Sequence, residues 1–183
     1  MCIRDRVEAD GSARIAANEI AFEDLPALGT PGEVVSAQPL GVLEIERVEL
    51  DNGVTALLWP NEAEPGRVAV KVHFGAGVRG FSEEEAPYIT LGEGALISTG
   101  LAGLDQEDLD RLATGRKFGF DFSVGLADFT FSADTRQADL ADQLYLFAAK
   151  LALPEWDARP FARAKAAERI AYDTYATLSL IHI

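Results

Sequence analysis

The segment "RVAVKVHF" at 67–74 alternates strictly. Val68, Val70, Val72 and Phe74 fall on one side; Ala69, Lys71 and His73 fall on the other. A period of two predicts a strand with one buried and one wet face. The same period recurs in "KFGFDFSVGLADFTFSAD" at 117–134, where Phe118, Phe120, Phe122 and Val124 share a side. A turn near Gly125 leads to Phe129 and Phe131, so this segment predicts a hairpin at the centre of a sheet. Upstream, "EIERVELDNGVTALLW" at 44–59 predicts two strands joined by Asp51-Asn52-Gly53, because Asn-Gly suits a primed turn.

Helical spacing takes over elsewhere. "PYITLGEGALISTG" predicts a helix over 87–99, with Pro87 at its start and Gly100 past its end. Gly92 and Gly94 interrupt it, at roughly 1 kcal/mol each relative to alanine, and suggest close helix–sheet packing. "LDQEDLDRLATG" predicts a short helix capped by Asp105, stapled by Leu104 on Leu109 and stopped by Gly115. Asp134 and Gln137 fit a capping pair for the next helix. Its apolar stripe is predicted as Leu140, Leu144, Phe147, Ala148 and Leu151, with Pro154 closing it. An alanine-rich helix is expected over 157–175.

The resulting order is β-β-β-α-α-β-β-α-α. It predicts an α+β fold, with helices packed on one face of a mixed, largely antiparallel sheet. Residues 7–43 carry three prolines and three glycines in "DLPALGTPGEVVSAQPLG" and predict a linker or an extended crossing strand. Ordered structure is expected from about Glu44, giving one domain over 44–177.

Charge and composition narrow the function. The chain has 183 residues, 30 acidic against 16 basic, a net charge of −14 and 48 % hydrophobic residues. No basic stripe is present for a nucleic-acid partner. No apolar run reaches the ~20 residues of a membrane span, so neither nucleic acid nor membrane insertion is expected. The ends, "MCIRDR" at 1–6 and "LSLIHI" at 178–183, resemble translated sequencing-adapter peptides. They are expected to be foreign to the fold and are left out of it. The rest then reads as a fragment of a longer chain. Between 7 and 177 there is no cysteine, no methionine and one histidine, His73.

That inventory is poor in chemistry. A zinc site needs three or four ligands from Cys, His, Asp and Glu, and His73 lies on the wet side of its strand. Glu83-Glu84-Glu85 fits favourable charge at a helix N-terminus. "GAGVRG" at 75–80 lacks the Lys-Ser/Thr ending of a phosphate loop and the βαβ setting of a dinucleotide site. Ser98 and Thr99 have no histidine placed to form a triad.

The ordered series "LDNGVTALLW", "VAVKVHFGAGVRG", a helix, and then "LDQEDLDRLATGRKFGFDFSVGLADFTFSADTRQADLADQLYLFAAKLALPEW" resembles the insulinase/pitrilysin-like zinc metallopeptidases. Within them it is most similar to the second, non-proteolytic half of the large two-half members of Gram-negative bacteria. The resemblance covers about 22–176 and implies a metallopeptidase-like, ferredoxin-like sandwich. In the family's catalytic half the corresponding helix carries H-x-x-E-H, whose histidines bind zinc and whose glutamate acts as general base. Set against that motif, Thr90 and Gly94 stand at the histidine positions and Glu93 at the glutamate. A later helix supplies the family's third ligand, and Glu168 or Asp173 falls in that region.

The resemblance therefore implies a half that neither binds zinc nor cuts, and the chain itself is expected to be inactive. Its role would be to form part of a peptide-holding chamber. The zinc would reside in the catalytic half of a parent peptidase, which would be its partner along with the peptide substrate. The parent would belong in the periplasm or elsewhere in the cell envelope. The alternative is a structural or partner subunit of the same fold with no peptidase role, like the core proteins of a respiratory complex.

Overall fold

The computed structural model describes residues 20–181. Its elements run β1 (Val34–Pro39), β2 (Glu46–Leu50), β3 (Thr55–Leu58), β4 (Arg67–Phe74), α1 (Ala86–Leu96), α2 (Gln106–Leu112), β5 (Asp121–Val124), β6 (Phe129–Arg136), α3 (Leu140–Ala152) and α4 (Ala158–Ile181). The fold is α+β. The strands form two small antiparallel sheets, ordered β1-β2-β3 and β4-β6-β5. Every recorded strand pairing is antiparallel.

Ordered structure begins earlier than the composition of the lead-in suggested. β1 pairs with β2, so part of the expected linker is a strand. Further upstream, Phe22 meets Phe118 edge-on at 5.6 Å, and the Tyr145 hydroxyl donates to the Pro26 carbonyl at 2.7 Å. Proline and glycine report only that a segment is neither helix nor central strand, and an edge strand satisfies that. Residues 1–6 and 182–183 lie outside the described residues. The α4 backbone continues as helix through Ile181.

The predicted β2–β3 hairpin is present with a different turn. Gly53 N–H donates to Leu50 O and Leu50 N–H to Val54 O, and in this loop only Gly53 takes a positive φ, at +85°. That is a three-residue loop ending in a glycine bulge, not the two-residue primed turn. No residue of β1, β2 or β3 is fully buried.

The second sheet carries the aromatic core. β4 alternates as predicted, its even-numbered residues half-buried and its odd ones exposed. It pairs with β6 over eight residues, from Arg67 opposite Arg136 to Phe74 opposite Phe129. Phe131 is the hub, with ring centroids of Phe74, Phe120, Phe122 and Phe147 within 4.6–5.6 Å. The predicted Phe row splits: β5 begins only at Asp121, and Phe118 leaves the sheet to join a second cluster around Leu101, Leu146 and Ala149.

The largest departure lies in α3. Leu144 and Leu151 are about half exposed and Ala148 is exposed. The inward face is Gln143, Leu146, Phe147, Ala149 and Lys150, with Asp139 buried just ahead of the helix. The inner positions are partly polar because the structure opposite them is irregular backbone that needs partners. Gln143, with no exposed surface, accepts from Gly119 N–H at 2.9 Å and donates to Gly119 O at 2.8 Å. Asp139 accepts from Lys117 N–H at 2.8 Å. Lys150 donates to the carbonyls of Thr99 and Gly100, and its ammonium sits 4.9 Å from the Phe120 ring centroid. Asp134 caps nothing; it lies in β6, paired with Arg67 at 2.7 Å.

Two smaller devices hold the helices. Asp105 and Asp108 form a reciprocal capping box on α2. α1 ends at Leu96, short of the predicted Thr99. Gly100 serves close approach and not a left-handed cap: a Cβ there would lie 1.9 Å from Leu104 O.

Two outcomes follow. Phe131→Ala should cost roughly 3–5 kcal/mol in denaturant melts, as for a large core deletion, and Leu144→Ala about 0.5 kcal/mol or less. A reversed order would restore the stripe expected from the sequence. The second outcome concerns Lys150, whose amine is lowered by burial from 10.5 to about 8. Below that pH both folded and unfolded chains are charged, and burial exerts its full cost. Between the two values the folded chain releases its proton first, so stability rises with pH. The stability of wild type relative to Lys150→Met should therefore increase from about pH 7 to about pH 10 in urea melts. A flat difference would contradict the burial of that charge.

Candidate functional site

The positions singled out by the sequence lie on α1. The helix starts with a proline in its first turn. Ahead of it, Glu85 accepts from the Ser82 N–H and hydroxyl at 2.9 Å each. Those bonds hold the Glu85 carboxyl below its ordinary range. Thus one member of the acidic run locks the loop entering α1.

Thr90, Glu93 and Gly94 share a helical face by their spacing. Thr90 and Gly94 are exposed, and Glu93 is half-buried. Glu93 Oε1 accepts from Val124 N–H on β5 at 3.0 Å. Its carboxylate therefore ties α1 to the sheet. The two glycines behave differently from the close helix–sheet packing expected. A Cβ on Gly92 would meet nothing within 4 Å, and one on Gly94 would meet Ala164 Cβ at an ordinary 3.6 Å. The neighbour of Gly94 is α4, not the sheet, and alanine would fit there.

Glu168 and Asp173 are exposed on α4, the helix that packs against α1. Among the described residues no group of three or more His, Cys, Asp or Glu side chains is placed to hold a metal. Threonine and glycine offer no imidazole, and Glu93 already accepts a backbone N–H. These residues do not fit a zinc site.

His73 is on the exposed face of β4, 2.6 Å from Asp128 Oδ2 through Nδ1 and 3.1 Å from Thr130 Oγ1. The pair is about half exposed, and its role is to tie β4 to the β5–β6 turn. The glycine-rich loop at 75–80 packs on that same turn. Val78 N–H and Arg79 N–H donate to the carbonyls of Gly125 and Leu126. Gly77, at φ +57°, would place a Cβ 2.3 Å from Gly125 O. Gly77 is required by this contact, and two of the N–H groups a phosphate cradle would use are already engaged.

An open cleft of about 690 Å³ lies at the end of β4 and β6, beside Arg67, Lys117 and Arg136. Its arginines are matched by acids. Arg67 bridges Glu64 and Asp134, and Arg136 pairs with Asp139 at 2.6 Å. The arginine partners hold the carboxyls of Asp134 and Asp139 below their ordinary range, with Lys117 N–H adding to the second. The cleft offers little net charge to an anion.

Sequence reasoning missed Gln143, Asp139 and Lys150. Their spacing of four and seven residues lies parallel to the Leu144–Leu151 row, so periodicity alone does not rank the two faces. No described helix is long and apolar enough to cross a membrane.

No family model matches the chain, and no curated protein is significantly similar to it in sequence. Solved structures do match. The periplasmic protease PqqL from Escherichia coli superposes with a TM-score of 0.70 at 17 % identity, over 81 % of this chain and 17 % of that one. The ferredoxin protease FusC, in its E83A form in complex with Arabidopsis ferredoxin, gives 0.66 at 16 % identity, over 82 % and 16 %. This chain spans about a sixth of the length of either. At such identities the likeness shows the fold alone, and that fold resembles a part of two insulinase/pitrilysin-like proteases.

Proposed function

We propose that this chain is a non-catalytic half-domain of a zinc metallopeptidase, contributing to the chamber that holds the peptide. The observation that carries the reading is the use of Glu93. In the place where the family's catalytic helix has its general base, this carboxylate accepts a backbone N–H from β5. Thr90 and Gly94, at the positions of the two ligands, cannot bind zinc. The likeness to parts of PqqL and FusC supports the setting. Zinc then belongs to a separate catalytic half, which is also the partner of this one. The exposed Ile170, Tyr172 and Tyr175 on α4 agree with a domain that has further neighbours.

Two readouts test it. After dialysis against zinc the chain should retain far less than one metal per molecule, and a quenched peptide library should show no chelator-sensitive turnover. One tightly held zinc, or turnover lost to a chelator, overturns the proposal. In an uninterrupted parent, deleting 44–177 should lower cleavage of long peptides and leave the zinc content of the catalytic half unchanged. Unchanged cleavage of long peptides would instead favour a purely structural subunit.

A further inference from the structure

Among the described residues β5 is an edge strand, bonded to β6 on one side only. In an antiparallel ladder, alternate residues bond inward and the others point their N–H and C=O groups outward. The phase is fixed by Gly125, which follows β5 and donates inward to Asp128 O at 2.8 Å. Counting back by two, Ser123 and Asp121 bond inward to Thr130 and Ser132, their register partners. Phe122 and Val124 therefore present the outward N–H groups of this strand.

Both are already occupied by carboxylates. Phe122 N–H donates to Asp121 Oδ1 at 3.0 Å, and Val124 N–H donates to Glu93 Oε1 at 3.0 Å. One acceptor comes from the strand itself and the other from α1. A bare edge of this kind is a template for pairing with another chain, and its side chains here are apolar on the sheltered face. The geometry points to an edge lock: Glu93 and Asp121 together keep β5 closed to strand addition by a second copy of this chain. Each acts twice. It engages an outward N–H, and its charge repels the same residue on an approaching copy. A β5–β5 pairing would gather four carboxylates around four strand residues from each copy, in a chain of net charge −14. This inference does not depend on the peptidase reading, because it concerns only the edge and the two groups that cover it.

The test compares wild type with Glu93→Ala, Asp121→Ala, the double variant and Glu93→Gln. Amide hydrogen exchange reads the lock directly. In Glu93→Ala the Val124 amide should exchange on the order of tenfold faster, while amides at the centre of β6 keep their protection. Sedimentation reads the consequence. The double variant should associate at concentrations where wild type shows less association. Glu93→Gln keeps an acceptor oxygen and should retain slow Val124 exchange, which guards against misfolding of the alanine variants. Equal Val124 exchange in wild type and a folded Glu93→Ala would overturn the lock. So would a folded double variant that associates no more than wild type.

Discussion

The arrangement hangs on an amide that behaves like a strand. Gln143, sealed from solvent on α3, clasps both the N–H and the C=O of Gly119. Residues 117–120 carry no regular structure, yet they lead directly into β5. Their polar backbone groups are costly to bury without partners, of order 1–3 kcal/mol for each one left open. α3 and the residue ahead of it supply partners along one line: Asp139 for Lys117, Gln143 for Gly119, and Lys150 for the carbonyls that follow α1. Leu146 and Phe147 fill the space between. A wholly apolar face would pack against the same segments and leave them unsatisfied. The polar residues thus decide which side of α3 turns inward, and the position of the Phe131 cluster follows from that choice.

Lys150 carries a cost that the rest of the network offsets. Its ammonium is buried with no carboxylate paired to it among the described residues, and is held by carbonyl oxygens and an aromatic face. Burial alone drives the amine downward, and the carbonyls oppose that by favouring the charged form. The result ties the C-terminal side of α1 to α3. On its other side α1 is tied to β5 by Glu93 and to α4 by the Gly94–Ala164 approach. α1 therefore touches the sheet and α4 and reaches α3 through the residues that follow it, while α3 also meets β6 directly through Phe147 and Phe131.

Much of the strand layer was legible in the residues. The alternation in 67–74 fixed β4 and its wet face, since a strand exposes its period directly. Asp105 marked the start of α2, because the cap is a local bond between residues three apart. The lead-in was less legible: Phe22 reads as a stray aromatic until Phe118, Tyr145 and Arg116 are brought around it. The same holds for Glu93. The resemblance drew attention to it, but nothing local in the sequence pairs it with Val124, 31 residues away.

By itself the sequence determined the α+β class, the hairpins, the starts of α1 and α2 and the scarcity of histidine and cysteine. All of these rest on short-range patterns or on simple inventory. Only the tertiary structure decided that the strands divide into two antiparallel sheets, which face of α3 is buried, and that Glu93 serves a strand edge. Those outcomes depend on which irregular backbone comes to lie opposite a side chain. A buried N–H or C=O selects a polar partner across space, and the hydrophobic period of a helix carries no record of that demand.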